Sequence, residues 1–168
     1  MKIQKTTEKE KQAVLQIYSE AKTYFKENGI DQWQNGYPNE ESLDMDCEQG
    51  ISYIIMEEEK VLGTAVIMAD RDKTYDTIYE GSWLSQGEKY GVMHRVAVSG
   101  KEKGRGIAGE LFSFAENYCA LQGAEYMRID THEDNLSMQR RLAKSGFNRC
   151  GVIYLEDGAK RIAFEKKI

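Results

Sequence analysis

A short apolar strand that runs into a glycine-rich loop and then into a helix limits the folds open to this chain more than any other segment. The segment reads MHRVAVSGKEKGRGIAGELF, and Gly104, Gly106 and Gly109 lie within six residues at the predicted start of the helix. Backbone N–H groups in such a loop, with the positive end of the helix behind them, suit a bound phosphate. The alternative is a flexible connection that binds nothing.

Helix and strand patterns fill the chain on both sides of this loop. A T-x-x-E capping box at Thr7 and Glu10 opens a helix that ends at Gly29, and a weaker pattern predicts a second helix from Asn39 to just before Gly50. The other predicted elements are strands at 51–56, 61–68, 93–98 and 126–131, helices at 105–122 and 134–145 (with Asp134 as N-cap), and a final hairpin within 151–167 around Asp157-Gly158. The polar stretch 70–88 has no assignment.

The order of the elements is strand, helix, helix, hairpin, strand, helix, strand, helix, hairpin, which predicts a mixed α/β fold. The hairpins require antiparallel pairing, and the helical crossover after Val98 allows one parallel pair. A length of 168 residues, compared with about 150 residues for one domain, predicts a single domain over residues 1–168.

Composition narrows the class of protein further. With 23 basic and 28 acidic residues the net charge is −5, which argues against a general nucleic-acid binder. Three cysteines without a C-x-x-C pair and only two histidines predict neither a disulfide framework nor a metal site. The N-terminal segment lacks the apolar core of a signal peptide, and no apolar stretch approaches the ~20 residues of a membrane span. We therefore expect a cytoplasmic protein without a membrane partner.

The glycine loop admits a dinucleotide interpretation. Gly104, Gly106 and Gly109 match G-x-G-x-x-G, and Asp130 follows about twenty residues later, as in the dinucleotide fingerprint. However, SGKEK separates the strand from the first of these glycines, and the chain is short for two mononucleotide-binding halves. An NAD(P)-binding oxidoreductase is therefore the weaker alternative, and a Walker loop is excluded because no G-K-[ST] follows the glycines.

A second pattern covers the same loop and continues downstream. Lys103 to Ala108 read KGRGIA after the strand VAV, and Asn135 and the ending Lys144–Phe147 (KSGF) follow in order. The loop resembles the acyl-CoA motif [R/Q]-x-x-G-x-[G/A] of the GNAT superfamily of N-acetyltransferases, and the later residues resemble its N-x-x-A … Y-x-x-x-G-F segment. The resemblance implies a mixed, mostly antiparallel sheet flanked by helices, in which a splayed parallel strand pair forms the acyl-CoA cleft.

The resemblance also implies acetyl-CoA as cosubstrate and CoA as product. Pantetheine would pair with backbone groups of the strand before the loop, the pyrophosphate would lie on N–H groups of the loop, and Asn135 would bind the cofactor from the other side. Asn135 has a second interpretation as a cap at the start of its helix. The implied contact residues are Val96, Val98, Lys103, Gly104, Arg105, Gly106, Ile107, Ala108 and Asn135.

Two positions depart from the superfamily pattern. Lys103 stands where Arg or Gln is usual, and a lysine faces a phosphate without a bidentate fork. Leu142 stands where the superfamily often has a tyrosine that protonates the leaving thiolate, so this general acid cannot be carried over. The loss of the tyrosine is the one argument for an alternative in which the domain binds acyl-CoA, or regulates, without catalysis.

The implied reaction is direct transfer of the acetyl group to an amine of a small molecule or peptide. Deprotonation at pH 7 costs about 4–5 kcal/mol for an alkyl amine and about 1 kcal/mol for an α-amine, so a general base matters more for the former.

The candidate bases are His94, which a regular strand would place on one face with Val96 and Val98, and Glu80 in the unassigned stretch. Asp130 and His132, at the end of the second cleft strand, are further candidates. For all four, an ordinary structural or solvent-exposed role is the alternative.

Four aromatic residues occur in segments that, by resemblance, would cover the acceptor. They either shape a pocket for a cationic amine or belong to the hydrophobic core. These residues are Trp33, Tyr37, Tyr79 and Trp83. The sequence identifies neither the acceptor nor the oligomeric state, for which a homodimer is one option.

Overall fold

The computed structural model describes residues 1–87 and 89–168, and in this part of the chain it contains seven strands and four α-helices. Their bounds are β1 Lys2–Lys5, α1 Lys11–Glu27, α2 Glu40–Glu48, β2 Ser52–Glu57, β3 Lys60–Met68, β4 Gly91–Val98, α3 Ile107–Leu121, β5 Tyr126–Thr131, α4 Leu136–Lys144, β6 Asn148–Tyr154 and β7 Lys160–Lys167. Within the described ranges, no helix is both long enough and apolar enough to cross a membrane.

The strands form one sheet in the order β1-β2-β3-β4-β5-β7-β6. Strands β1 and β2, β2 and β3, β5 and β7, and β6 and β7 pair antiparallel, whereas β4 and β5 pair in parallel. The predicted mixed α/β fold with a mostly antiparallel sheet and one parallel pair is therefore confirmed. Glu88, the last residue of the unassigned stretch 70–88, lies outside the described residues.

The chain forms two compact units. The first comprises Met1–Ile67 and His94–Phe114, and the second comprises Met68–Met93 and Ala115–Ile168. Strand β4 contributes its first three residues to the second unit and the remainder to the first. A single domain over residues 1–168 stays a prediction.

Capping residues fix the two helices at the start of the first unit. The Glu10 carboxylate accepts the Thr7 N–H at 3.0 Å and the Thr7 hydroxyl at 2.6 Å, so the predicted capping box is present and a short 3₁₀ turn leads into α1. Asn39 accepts the Ser42 N–H at 3.0 Å and thereby begins α2, as predicted. The core cluster of this unit comprises Val14, Ile17, Tyr18, Leu43, Ile54, Val61 and Ala97.

Gly63 on β3 allows a close approach inside the first unit. A Cβ at this position would lie 3.0 Å from the Ala97 carbonyl oxygen and 3.2 Å from the Ile107 side chain. Only a residue without a side chain therefore lets β4 and the start of α3 pack this tightly against β3. This packing supports the strand and helix that flank the glycine loop.

Two predicted helix starts, one in each unit, are wrong by one or two residues for identifiable reasons. Asn135, not Asp134, is the N-cap of α4, because its Oδ1 accepts the Met138 N–H at 3.1 Å. Helix α3 begins at Ile107 rather than at residue 105 because Gly104 and Gly106 adopt positive φ angles of 85° and 81°. The final hairpin is confirmed, with Gly158 donating to the Leu155 carbonyl at 2.9 Å in its turn.

A buried ion pair joins neighbouring strands of the second unit. Arg128 on β5 lies opposite Glu165 on β7, and Arg128 Nε donates to Glu165 Oε1 at 2.8 Å. Glu165 Oε2 also accepts the backbone N–H groups of Leu84 and Ser85, at 2.6 and 2.9 Å. Because Glu165 is fully buried, these bonds are what make its charge tolerable.

Two aromatic rings complete the surroundings of Arg128. Its guanidinium lies 4.1 Å from the centre of the Trp83 ring and 3.9 Å from that of Tyr90. Both contacts are in the range of cation–π interactions. Over its described residues, the unassigned stretch contains only a 3₁₀ turn at Lys73–Tyr75 and a single β-bridge between Tyr79 and Val152 of β6, in addition to these polar and aromatic contacts. Elements this short carry no periodic pattern in the sequence.

Replacing Glu165 with glutamine should lower the free energy of unfolding by about 3–5 kcal/mol, because it leaves the Arg128 charge buried without its partner. The exposed pair between Lys160 and Glu133, 3.2 Å apart, offers a matched control. Glu133→Gln should leave stability unchanged within experimental error. Urea unfolding of the three proteins checks this, and equal stabilities of the two variants would contradict it.

Candidate active site

Strand β4 contains an irregularity at Arg95. This residue has φ 49°, in the left-handed region, and His94, Arg95 and Val96 are all half-buried. The regular alternation that would place His94 on one face with Val96 and Val98 is interrupted here, because a left-handed residue turns the chain as a β-bulge does. The parallel ladder with β5 joins Gly91 to Met127 and Val92 to Arg128, before this irregularity.

The glycine loop that follows β4 ends in the N-terminus of α3. The first bond of the helix runs from the Glu110 N–H to the Gly106 carbonyl at 3.2 Å, so the N–H groups of Ile107, Ala108 and Gly109 have no acceptor within the helix. A Cβ added at Gly104 or Gly106 would meet nothing within 4 Å. Glycine is therefore needed at these two positions for its backbone conformation, with a positive φ angle, rather than for space. The exposed N–H groups of the helix start suit a phosphate.

Helix α1 holds the start of this loop in place. Glu20 Oε2 accepts the Gly100 N–H at 2.8 Å and the Ser99 hydroxyl at 3.2 Å. The bond from Gly100 is the main reason why the pKa of Glu20 lies below its ordinary value. One turn further along α1, the Tyr24 ring lies 3.9 Å from Lys103 Nζ. Sequence analysis missed both residues, since their spacing on α1 carries no signal of a loop far along the chain.

Two cationic side chains of the loop, Lys103 and Arg105, already have contacts. Arg105 forms ion pairs with Glu57 at 2.9 Å and with Glu102 at 2.5 Å, and Lys60 also pairs with Glu102. Lys103 is exposed and lies over Tyr24. The loop therefore offers a phosphate its backbone N–H groups first, and its positive side chains only after their present contacts change.

The candidate bases belong to different compact units. His94 is half-buried on the part of β4 that belongs to the first unit, whereas Glu80 is exposed and belongs to the second. In the second unit, Asp130 Oδ2 accepts the Tyr75 hydroxyl at 2.7 Å, and His132 Nδ1 accepts the Asp134 N–H at 3.1 Å. Asp130 and His132 thus have local structural contacts, as their alternative interpretation requires.

The two tryptophans have core contacts. Trp33 packs edge-on against Tyr18 and Phe25, with ring centres 5.7 and 5.5 Å apart, and Trp83 packs against Tyr75 in the second unit. By contrast, Tyr37 and Tyr79 are 39% and 50% exposed. The core interpretation therefore accounts for the two tryptophans.

A polar cluster in the first unit escaped sequence analysis. Arg95 Nη2 donates to Asp46 Oδ1 at 2.6 Å, and Arg95 Nη1 donates to the Tyr37 hydroxyl. Burial raises the pKa of Asp46, although Arg95 and His94 act in the opposite direction. Burial likewise raises the pKa of Tyr18, which senses the charges of both Arg95 and Asp46. The four residues of this Tyr18 cluster (Tyr18, Tyr37, Asp46 and Arg95) come from distant parts of the sequence, so no local motif marks them.

Two residues carried over from the resemblance lie in the second unit. Leu142 is fully buried on α4, and Asn135 is 4% exposed and caps that helix.

Among residues 1–87 and 89–168, no group of three His, Cys, Asp or Glu side chains is arranged to hold a metal ion.

Comparison with known proteins decides the family. The model of the Acetyltransferase (GNAT) family matches residues 12–147. The chain belongs to the GNAT acetyltransferase family. A GNAT family acetyltransferase from Streptococcus agalactiae 2603 is 30% identical to it, with a TM-score of 0.84 and coverage of 99% of this chain and 95% of that chain. Comparison with curated proteins gives no match.

More distant acetyltransferase structures share the fold alone. A GNAT family acetyltransferase from Bacillus cereus ATCC 10987 is 18% identical, with a TM-score of 0.66 and coverage of 99% of this chain and 96% of that chain. The ribosomal-protein-alanine N-acetyltransferase from Brucella melitensis is 17% identical, with a TM-score of 0.69 and complete coverage of both chains.

In this GNAT protein, replacing Glu20 with alanine should lower the free energy of unfolding by about 1 kcal/mol, because the Gly100 N–H loses its acceptor. Because the folded-state pKa of Glu20 is lowered, its charge stabilises the protein fully above the ordinary glutamate pKa of about 4.3, and this contribution is lost as the pH falls. Glu20→Gln keeps an acceptor oxygen but lacks the charge. The difference in the free energy of unfolding between the wild-type protein and this variant should therefore shrink below about pH 4. Urea unfolding at several pH values measures this, and a difference independent of pH would contradict it.

Proposed function

We propose that this chain transfers an acetyl group from acetyl-CoA directly to an amine of a small molecule or peptide. The observation that carries the proposal is the loop before α3, where two positive-φ glycines leave the helix N-terminal N–H groups open to a phosphate. Membership of the GNAT family supports the same cosubstrate. The residues present fit the group, since the donor set of the loop consists of backbone N–H groups suited to a pyrophosphate.

The binding roles follow the geometry of the first unit. Backbone groups around Val96 and Val98 would pair with the pantetheine arm, and the N–H groups from Lys103 to Ala108 would hold the pyrophosphate. Within this segment Gly104 and Gly106 set the backbone conformation, and the ion pairs of Arg105 fix its shape. Asn135 is retained as a cofactor contact on the family resemblance alone.

The chemical step needs an oxyanion donor and a proton acceptor. A backbone N–H of β4 near the irregularity at Arg95 would polarise the thioester carbonyl. His94, half-buried on the same strand, would take the proton of the attacking amine, directly or through water. A bond forms between the amine nitrogen and the acetyl carbon, and the carbon–sulfur bond breaks with its electron pair on sulfur. Without a tyrosine at Leu142, the sulfur leaves as a thiolate, which a thiol pKa of about 8.5 permits near neutral pH.

Cysteine chemistry supports direct transfer over an acyl-cysteine intermediate. Burial raises the pKa of Cys119 to about 11 and also raises the pKa values of Cys47 and Cys150. Thiols of raised pKa are poor nucleophiles at neutral pH because the thiolate is scarce. Direct attack by the amine requires none of them.

Acetyl-CoA should stabilise the purified protein against heat, whereas NAD(P) should not. A ligand present at 100 times its Kd adds about 2.7 kcal/mol to the free energy of unfolding. For a chain of this size, this raises Tm by roughly 5–11 °C. Gly106→Val should abolish the shift, because a β-branched residue is strained at a φ of 81°. Gly158→Ala, at φ 82° in the β6–β7 turn, controls for backbone strain and should retain the shift. A shift with NAD(P) alone would overturn the proposal.

His94→Gln should lower the rate of acetyl transfer with little change in the affinity for acetyl-CoA, because it removes a proton acceptor and leaves the loop intact. Steady-state kinetics with a panel of amines, together with calorimetric titration of acetyl-CoA, measures both quantities. An unchanged rate would remove His94 as the base. Binding of acetyl-CoA without turnover of any amine would instead favour the non-catalytic alternative, for which the buried Leu142 is the argument.

A further inference from the structure

The Tyr18 cluster contains three buried polar atoms that lack a hydrogen-bond partner within the described part of the chain. They are Tyr18 Oη, Asp46 Oδ2 and Arg95 Nε. Tyr18 is 1% exposed and Asp46 is 5% exposed. Burying one polar group without a partner is costly, and three in one cluster indicate that the site is completed by something other than the chain itself.

These atoms belong to one connected group. Arg95 Nη2 donates to Asp46 Oδ1 at 2.6 Å, so the two unpartnered atoms of this ion pair belong to side chains already in contact. Tyr18 lies near enough to both partners that Arg95 lowers and Asp46 raises the pKa of its hydroxyl, and the hydroxyl also interacts weakly with the Thr64 side chain. Arg95 itself belongs to β4 and lies at the irregularity of this strand. The residue before it, His94, is the proposed base, and the residue after it, Val96, is a proposed pantetheine contact.

The chemistry of the three atoms limits what can bind. Arg95 Nε is only a donor, Asp46 Oδ2 is only an acceptor, and the Tyr18 hydroxyl is either. The charges of Asp46 and Arg95 cancel, so a ligand carrying a lone positive charge would be opposed by Arg95. A group that offers an ammonium and an oxygen acceptor close together matches both atoms at once.

Tyr37 forms the outer side of the cluster. Its hydroxyl accepts from Arg95 Nη1, its ring centre lies 5.6 Å from the guanidinium carbon, and the residue is 39% exposed. Tyr37 lies in the segment between α1 and α2 and belongs to neither helix. This partly exposed side of the cluster is the side from which a ligand would reach the buried atoms.

We propose that Tyr18, Asp46 and Arg95 bind the acceptor of the transfer reaction through an α-amino group and the carboxylate or carbonyl oxygen on the adjacent carbon. The acceptor is then a free amino acid or the N-terminus of a peptide. Asp46 Oδ2 accepts from the ammonium, Arg95 Nε donates to the oxygen, and the Tyr18 hydroxyl bonds to either. This inference rests on the proposed function. For a peptide N-terminus it also agrees with the chemistry, since an α-amino group with a pKa of about 7.7–8.0 loses its proton readily near neutral pH.

The first experiment compares acceptors with the wild-type protein. The twenty common L-amino acids, their α-amides and Xaa-Gly dipeptides are assayed for acetylation, and each acceptor found is paired with the amine that lacks its carboxyl carbon. We expect kcat/KM to fall at least tenfold when that carbon is removed. Preference for the free acid identifies an amino acid acceptor, and preference for the amide or dipeptide identifies a peptide N-terminus. Equal or faster turnover of the simple amines would overturn the inference while leaving the proposed function intact.

The second experiment removes the unpartnered hydroxyl alone. Tyr18→Phe should change the stability of the protein little, because the Tyr18 hydroxyl forms no hydrogen bond of normal geometry within the described residues. It should also raise KM for the acceptor several-fold, with the affinity for acetyl-CoA unchanged. Tyr53→Phe is the matched control, since Tyr53 is a buried tyrosine of the same unit outside the cluster, and it should leave KM unchanged.

Further outcomes separate the two proposals. Asp46→Asn should reduce acceptor binding and retain the thermal shift with acetyl-CoA, as measured by calorimetric titration of the preferred acceptor into CoA-loaded protein. An unchanged KM in Tyr18→Phe, together with unchanged binding in Asp46→Asn, would mean that water alone satisfies the cluster, and the inference would fall. Absence of any shift with acetyl-CoA in the wild-type protein would instead contradict the proposed function.

Discussion

The left-handed conformation of Arg95 in the middle of β4 is the constraint on which the first unit depends. A non-glycine residue at a φ of 49° costs about 1–2 kcal/mol, so the surrounding contacts must offset it. The ion pair with Asp46 and the contact with Tyr37 do so by holding the guanidinium on both sides. Arg95 thus joins α2 to the strand that leads into the glycine loop, and a smaller side chain would leave the irregularity unsupported.

The loop itself is positioned by packing on one side and by hydrogen bonds on the other. Gly63 allows β3 to approach Ala97 and Ile107 closely, which fixes the strand before the loop and the helix after it. From α1, Glu20 holds the Gly100 turn. The N–H groups at the start of α3 are therefore presented by rigid elements, and a bound phosphate requires little reordering of the chain.

Local patterns explain how much of this could be predicted. The capping box at Glu10, the hairpins and the glycine loop depend on neighbouring residues, and their positions follow from the sequence alone. The irregularity at Arg95 could not be predicted, because no glycine or asparagine marks it and the carboxylate that holds its side chain, Asp46, lies on a distant helix. The same holds for Arg128 and Glu165, whose pairing exists only once β5 and β7 are adjacent. The sequence thus predicts the loop and the strand of the candidate site, but it does not predict the polar cluster beside them.

The two buried ion pairs differ in one physical respect that separates structure from function. Each oxygen of Glu165 accepts at least two hydrogen bonds, and the pair attaches a stretch without regular structure to the sheet. Asp46 and Arg95 share a single bond and leave Asp46 Oδ2 and Arg95 Nε without partners in the described chain. A pair that only stabilised the fold would gain by satisfying these atoms internally. The incomplete pair involves the strand that leads into the glycine loop, and under our proposal the acceptor completes it.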